Sequence, residues 1–245
     1  MGSYARGSPG PYSDIDLVCF TDEDMGPLSG KGSHLIDGNL VVVSQVTPDQ
    51  IETWFSQPEA AVEVIAGLRS GRPLIDRNAT FASLQERAQA FEWDAAMQHK
   101  ANAWASKQLV GWIEEVHKGL EGLRRGDIGR MLHARFGCSW GLSRVVCVQQ
   151  GVLLSGDNAL YEEVTYAIGS ETTWARLCGA AFGIGSAGGP LTLRDQVIAG
   201  LNLYVATAEM LEEVLQPEDT PLIMETVKLI KTTLTTSEWN RLANF

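Results

Sequence analysis

The sequence predicts an α+β domain with a mixed sheet and flanking helices, followed by an all-α helical bundle. Two observations lead to this prediction. Up to about residue 93, short apolar stretches alternate with helical patterns, an order typical of α/β or α+β units. Beyond residue 93, apolar residues recur at the spacing of long helices. The 245 residues have the length of two modest domains, which we place at residues 1–93 and 94–245.

Two strands are predicted at the start of the first domain. Ile15–Phe20 is apolar and alternating, and residues 40–45 are rich in valine. A polar loop at residues 21–37 separates them, and its last residues lead into Asp37-Gly38-Asn39, a turn signal. We therefore expect two neighbouring strands with a long loop between them.

Helix signals follow directly after the second predicted strand. Thr47 is the predicted N-cap, Pro48 lies in the first turn, and Gln50 completes a capping box. A helix of about a dozen residues should follow. Residues 73–76 are interpreted as a further short strand, and residues 84–91 as a helix.

The second domain consists of helical patterns separated by glycine-rich breaks. The breaks include Arg125-Gly126-Asp127, Gly151 and the stretch from Gly183 to Pro190. The patterns cover about residues 96–124, 128–150, 157–168, 171–182, 192–214 and 220–235.

Net charge and cysteine usage limit the class of partner and the location. The net charge of −11 argues against nucleic acid, because phosphate backbones bind clustered Lys and Arg. A cationic or neutral small substrate fits better, although an acidic surface also simply keeps a protein in solution. The four cysteines lack zinc-ligand spacing, and neither a membrane-spanning run nor a secretion signal is present. We expect reduced thiols and a cytoplasmic protein.

The residues that indicate chemistry lie at the start of the chain. Ten residues separate the pair Gly2-Ser3 from Asp14-Ile15-Asp16. Alternate side chains of a strand share a face, so Asp14 and Asp16 should point the same way. Two such carboxylates suit Mg²⁺, which prefers one or two carboxylates together with phosphate oxygens and water.

A glycine-serine turn that leads into a helix suits a polyphosphate. Glycine allows close approach of the backbone, and helix N-termini favour anions. The triphosphate would lie between Gly2-Ser3 and the metal ions, and Arg6 could add positive charge to the same pocket. Each piece by itself is commonplace and could be a solvated turn, whereas the combination is specific.

The combination resembles a known family. The spacing, the Ala-Arg-Gly continuation, Ser13 directly before Asp14 and the apolar strand resemble the signature of the polymerase-beta-like nucleotidyltransferase superfamily. This specific similarity covers residues 2–20. The layout, a small α/β domain and then a helical one, resembles the branch typified by kanamycin and lincosamide nucleotidyltransferases.

The resemblance implies an activity and a set of site residues. It implies Mg²⁺-dependent transfer of AMP or another NMP from an NTP, with ATP the expected donor, to a hydroxyl of a drug or metabolite, with release of pyrophosphate. Residues of the helical half would bind the acceptor, and a homodimer is possible. Asp14 and Asp16 would hold two Mg²⁺ ions, and the nucleotide would contact Gly2, Ser3, Arg6 and Ser13.

Two departures from the family pattern stand out. The family normally has a helix and a strand before the Gly-Ser turn, so we expect a truncated or misassigned start, or a missing edge element. A tag remnant would explain only Met-Gly-Ser. Members also place a third carboxylate on the neighbouring strand, where residues 40–45 contain no acid. Asp37 is a possible substitute, although its position favours a turn.

Glu115 is the candidate general base of the second half. On a helix it lies at the edge of an apolar stripe, beside Gly111, Gly119 and Gly122. Such glycines indicate either close packing or a groove. In a groove, the carboxylate could accept the proton of an attacking hydroxyl, and related enzymes use a glutamate of the helical domain in this way. The alternative is an ion pair of Glu115 with Lys118 or Arg125.

Two rival functions remain open. One is an interaction protein that keeps the fold but has lost catalysis, which the missing third acid would permit. The other is an enzyme that nucleotidylates a protein hydroxyl, as antitoxin-like relatives do.

Overall fold

The chain divides into two compact units. The computed structural model describes residues 1–21, 30–184 and 189–234. The first unit consists of Met1–Met97 and Leu153–Ala159, and the second of Gln98–Val152 and Leu160–Phe245. The predicted boundary between a catalytic domain and an acceptor-binding domain at residue 93 stays a prediction. An α+β first part followed by a mostly helical second part confirms the predicted fold class.

A three-stranded mixed sheet organises the first unit. Its strands are β1 (Ile15–Phe20), β2 (Gly32–Ile36) and β3 (Asn39–Val46), in the order β1-β3-β2. β1 pairs with β3 in parallel, as the two apolar patterns predicted for neighbouring strands. β2 pairs with β3 in the antiparallel direction.

The strand β2 was not predicted from the sequence. It lies within the expected loop at residues 21–37, of which residues 22–29 are outside the described part of the chain. Asp37 and Gly38 adopt φ angles of 48° and 80°, the left-handed conformation of a tight hairpin turn. The turn assignment of Asp37 is thus confirmed. This turn joins β2 to β3, and the two strands form an antiparallel hairpin.

The helices of the first unit follow the sheet with two differences from expectation. The capping box of Thr47 and Gln50 is present, but Pro58 starts a second helix after only nine residues of the first. The strand expected at residues 73–76 is wrong, because Leu74 and Ile75 are exposed and form no ladder. The α-helices are α1 (Gly2–Arg6), α2 (Pro48–Ser56), α3 (Pro58–Ser70) and α4 (Thr80–Gln89).

The core of this unit fixes the end of β1. Phe20 is partly buried and packs against this core, with its ring centroid 6.0 Å from that of Phe81 and 6.2 Å from that of Trp54. Asp16 and Phe20 are four residues apart on one strand and therefore share a face. Packing of Phe20 thus sets the side of the sheet on which Asp16 lies. The buried members of the core are Ala61, Ile65, Leu68, Phe81, Leu84 and Ala88.

In the described residues of the second unit, the regular elements are helices, as predicted. Tyr204 is fully buried and donates a hydrogen bond to the carbonyl of Leu109 at 3.2 Å, and Trp174 donates to Thr207 at 3.0 Å. The helices are α5 (Ala95–Gly111, which begins in the first unit), α6 (Ile113–Arg125), α7 (Ile128–Phe136), α8 (Leu142–Gln149), α9 (Leu160–Ile168), α10 (Thr173–Phe182), α11 (Leu193–Met210) and α12 (Thr220–Thr233).

A wide π-helical turn, Gly137–Gly141, joins α7 to α8 without ending the helix. A methyl group added to Gly141 would overlap the ring of Trp112, and one added to Gly137 would lie 2.6 Å from Cγ of Glu115. Glycine is therefore required at both positions, and the sequence pattern alone did not reveal the wider turn.

The structure also shows the state of the cysteines and the length of the apolar helices. Cys19 is exposed, whereas Cys138, Cys147 and Cys178 are buried, and all four are free thiols. Within the described residues, none of the helices combines the length and apolar character that a membrane crossing requires.

Candidate functional site

Asp14 and Asp16 lie close together at the start of β1. Asp14 directly precedes the strand and is exposed, whereas Asp16 is its second residue and is half-buried. Burial raises the pKa of the Asp16 carboxyl, and the negative charge of Asp14 raises it further. Asp14 and Asp16 thus lie at the start of β1, and their role as metal ligands stays a prediction.

The glycine-serine pair lies directly against this acid pair. Gly2 has a φ angle of 74°, and a methyl group added to it would overlap Oδ2 of Asp16. The amino group of Met1 donates to the carbonyl of Asp16 at 3.2 Å. Glycine at position 2 therefore allows the start of α1 to approach the Asp16 carboxylate without a steric barrier.

The other predicted nucleotide contacts have individual environments. The amide of Gly10 donates to the Ser13 hydroxyl at 2.8 Å, so Ser13 closes the turn before Asp14. Ser3 lies in α1, and its carbonyl accepts a hydrogen bond at 3.0 Å from the amide of Ser8, which follows the helix. Arg6 donates through Nη1 to the carbonyl of Ser155 at 2.6 Å. The nucleotide-binding roles of Gly2, Ser3, Arg6 and Ser13 stay predictions.

The neighbouring strand offers no third acid. Val42 of β3 is the register partner of Asp16. In the described part of the chain, no group of three or more His, Cys, Asp or Glu side chains is placed to hold a metal ion. Asp37 lies in the β2–β3 turn. The donor set is therefore two carboxylates, which fits Mg²⁺ only if phosphate oxygens and water complete its six ligands.

A segment that sequence reasoning did not connect with the site belongs to the same unit. Leu153–Ala159, which we call the return segment, contains Ser155, the partner of Arg6. Asp157 in this segment is close enough to add to the raised pKa of Asp16. The sequence showed Gly156-Asp157-Asn158 only as a helix break, so no local signal linked this segment to the start of the chain.

Glu115 lies in the second unit, in the first turn of α6. Its Oε1 accepts a hydrogen bond from Lys118 at 2.8 Å, and Lys118 also pairs with Glu114 at 2.9 Å. Its Oε2 is buried and has no hydrogen-bond partner among the described residues. The ion pair with Lys118, expected as the alternative to a catalytic role, is present, and the second carboxylate oxygen is enclosed by protein. The role of Glu115 as a base stays a prediction.

The glycines beside Glu115 serve close packing. A methyl group added to Gly119 would lie 3.1 Å from side-chain carbons of both Ala134 and Leu201, and one added to Gly122 would meet Met131. Both glycines are buried. Of the two expectations, close packing and an open groove, the structure shows close packing at these two positions.

The N-terminal part of the chain, which contains Asp14 and Asp16, matches a known protein family. Residues 1–71 match the family model described as "Nucleotidyltransferase domain". The match supports a nucleotidyltransferase. The nucleotidyltransferase domain contains α1, β1 and β3, and hence the two predicted acids and the glycine-serine pair. The predicted resemblance to nucleotidyltransferases is confirmed for this domain, and the resemblance to the kanamycin and lincosamide branch stays a prediction.

A solved structure shows a weaker similarity. The crystal structure of a nucleotidyltransferase-like protein from Exiguobacterium sibiricum is similar with a TM-score of 0.47 and 11% identity. The similarity covers 85% of this chain and 64% of that chain, so this chain spans less than two thirds of its length. Among curated proteins, none matches the chain.

Proposed function

We propose that this chain is a Mg²⁺-dependent nucleotidyltransferase that moves an NMP, most simply AMP from ATP, onto a hydroxyl of a small molecule, with release of pyrophosphate. An aminoglycoside or a lincosamide represents the class of acceptor. The net charge of −11 supports a cationic acceptor such as an aminoglycoside. The nucleotidyltransferase domain at residues 1–71 supports the reaction type.

One observation carries the proposal. Two neighbouring carboxylates, Asp14 and Asp16, lie against a glycine that brings the start of a helix into contact with one of them. The half-buried Asp16 and the exposed Asp14 leave the pair open to an ion and a substrate. The acids and the glycine are separated along the chain, and folding brings them together.

Asp14 and Asp16 would hold the metal. Bound Mg²⁺ supplies charge neutralisation of the triphosphate and of the oxygens that carry charge in the transition state. The two aspartates would fix the position of the ion, and Gly2 allows the start of α1 to lie directly against Asp16. With only two protein carboxylates, metal affinity should depend strongly on the bound nucleotide.

We further propose Glu115 as the residue that accepts the proton of the acceptor hydroxyl, on the resemblance to enzymes that use a glutamate of the helical domain in this way. Its Oε2 is enclosed by protein, so the acceptor can reach this oxygen only after a local movement of the side chains around it. Lys118 holds the other oxygen and so restricts the orientation of the carboxylate. Replacement of Glu115 by Gln should lower the rate of transfer while nucleotide affinity stays unchanged, since Glu115 contacts the acceptor in this scheme.

Labelled ATP tests the proposal. The protein is incubated with Mg²⁺ and ATP labelled at the α-phosphate, together with aminoglycosides, lincosamides, simple sugars or cell lysate. Asp14→Asn and Asp16→Asn should abolish labelling of the acceptor without loss of the folded state, as circular dichroism reports. Asp37→Asn is the matched control: it makes the same charge change in a turn that asparagine tolerates, and activity should persist.

Each outcome has a meaning. Label on a small molecule supports the proposal, and label on lysate protein instead indicates a protein-modifying enzyme. Absence of both label and Mg²⁺-dependent binding of a nonhydrolysable ATP analogue indicates an interaction protein. Full activity in both Asp14→Asn and Asp16→Asn would refute the metal assignment.

A further inference from the structure

We propose that Arg6 is a positioning residue of the nucleotidyltransferase site: it ties the return segment, Leu153–Ala159, to helix α1 and does not itself bind the triphosphate. The expected effect of Arg6 on nucleotide binding rests on the proposed function. The contact between Arg6 and the return segment does not depend on any activity. It replaces the expectation that Arg6 contributes positive charge to a phosphate pocket.

The first end of the return segment is built into the first unit by burial. Leu153 packs against the core of that unit, and Leu154 is only 1% exposed. The amide of Leu154 donates to the carbonyl of Val62 in α3 at 2.7 Å. A segment distant in sequence is therefore an integral part of the unit that holds Asp14 and Asp16.

Arg6 contacts the two residues that directly follow Leu154. Its Nη1 donates to the Ser155 carbonyl at 2.6 Å, and the guanidinium also lies beside Gly156, with Nη2 3.7 Å from the position of an added methyl group. Arg6 is the last residue of α1, which has only five residues. So short a helix is not stable alone and depends on contacts such as this one to hold Gly2 and Ser3 in place.

The hydrogen bond to Ser155 uses Nη1 of Arg6, one of the five N–H donors that the guanidinium holds in a rigid fork. That rigid geometry suits a side chain that joins two segments of the chain. Whether the other donors reach a phosphate group is decided by the comparison of Arg6→Lys with Arg6→Ala.

Hydrogen exchange of the protein without nucleotide tests the tie. The amide of Leu154 donates to the carbonyl of Val62 in α3, so its exchange rate reports detachment of the return segment from α3. The amide of Ala159 donates to the carbonyl of Gly156, so its exchange rate reports opening of the turn within the segment. Arg6→Ala should raise both rates about two- to tenfold, because an exposed hydrogen bond is lost. Arg87→Ala is the matched control: it removes an arginine paired with Glu52 elsewhere in the same unit and should leave both rates unchanged.

Arg6→Lys separates positioning from phosphate binding. Lysine keeps the positive charge but lacks the planar fork that reaches Ser155 and covers Gly156. We expect Arg6→Lys and Arg6→Ala to raise the exchange rates alike, and to weaken Mg²⁺-dependent binding of a nonhydrolysable ATP analogue by similar factors. Should Arg6→Ala fail to fold, Arg6→Lys decides the question.

The two readouts distinguish the possible failures. Unchanged exchange in the Arg6 variants would overturn the tie. Nucleotide affinity retained in Arg6→Lys but lost in Arg6→Ala would show direct phosphate binding and overturn the positioning role. If the unaltered protein binds no nucleotide, the proposed function fails, whereas faster exchange in the variants still establishes the tie.

Discussion

Gly2→Ala is the substitution that most directly probes the approach of α1 to the acid pair. Gly2 has a φ angle of 74°, and the added methyl group would overlap Oδ2 of Asp16. Because that atom is the end of a flexible side chain, the carboxylate can swing away. The substitution should therefore cost little extra stability but should move the atom proposed to hold the metal.

Gly7→Ala provides the matched control. Gly7 has nearly the same φ angle, 76°, but nothing lies within 4 Å of the position that an added methyl group would take. A residue other than glycine in the left-handed region loses about 1–2 kcal/mol. Both variants should therefore lose similar free energies of unfolding, of about this size, in urea titrations.

Nucleotide binding should separate the two variants. In calorimetry with a nonhydrolysable ATP analogue and Mg²⁺, we expect Gly2→Ala to bind about tenfold or more weakly, an effect typical of misplaced groups around a metal. Gly7→Ala should bind nearly as the unaltered protein does. Equal losses of affinity in Gly2→Ala and Gly7→Ala would refute the reasoning, since backbone strain alone would then explain both.

Two further predictions concern charge and packing. Asp14→Asn should lower the pKa of Asp16, because the charge of Asp14 raises it; a carbon-13 NMR titration of the Asp16 carboxyl measures this, and an unchanged value contradicts the proximity. Gly141→Ala should lower the free energy of unfolding by about 1–3 kcal/mol, because its methyl group would overlap the rigid ring of Trp112. Gly111→Ala, with open space at its methyl position, should leave stability equal or higher by about 0.5–1 kcal/mol in the same urea titration.

The sequence by itself determined the elements whose causes are local. The alternation of Ile15–Phe20 and the valines after residue 40 predicted neighbouring strands, and β1 and β3 pair directly. The Thr47 and Gln50 capping box predicted the start of α2. The start of the same apolar stretch also placed Asp14 and Asp16 at the beginning of β1. In each case the information lies within a few residues, because strand alternation and helix capping depend on near neighbours.

Errors arose at short segments whose state depends on whether another strand pairs with them. Residues 73–76 have the apolar character of a strand but form no ladder, and β2 is a strand despite its Gly-Ser-His start. A short strand exists only if another strand supplies its hydrogen bonds, so pairing with β3 decided the state of β2.

Only the tertiary structure decided which distant residues surround the candidate site. The contact between Arg6 and Ser155 spans 149 residues, and no spacing rule predicts it. Likewise, packing of Glu115 against the π-turn, with one oxygen on Lys118 and the other without a partner among the described residues, depends on how α6 meets α7 and α8. Such contacts follow from the mutual burial of apolar surfaces, which fixes the neighbours of each polar side chain only when the whole unit has folded.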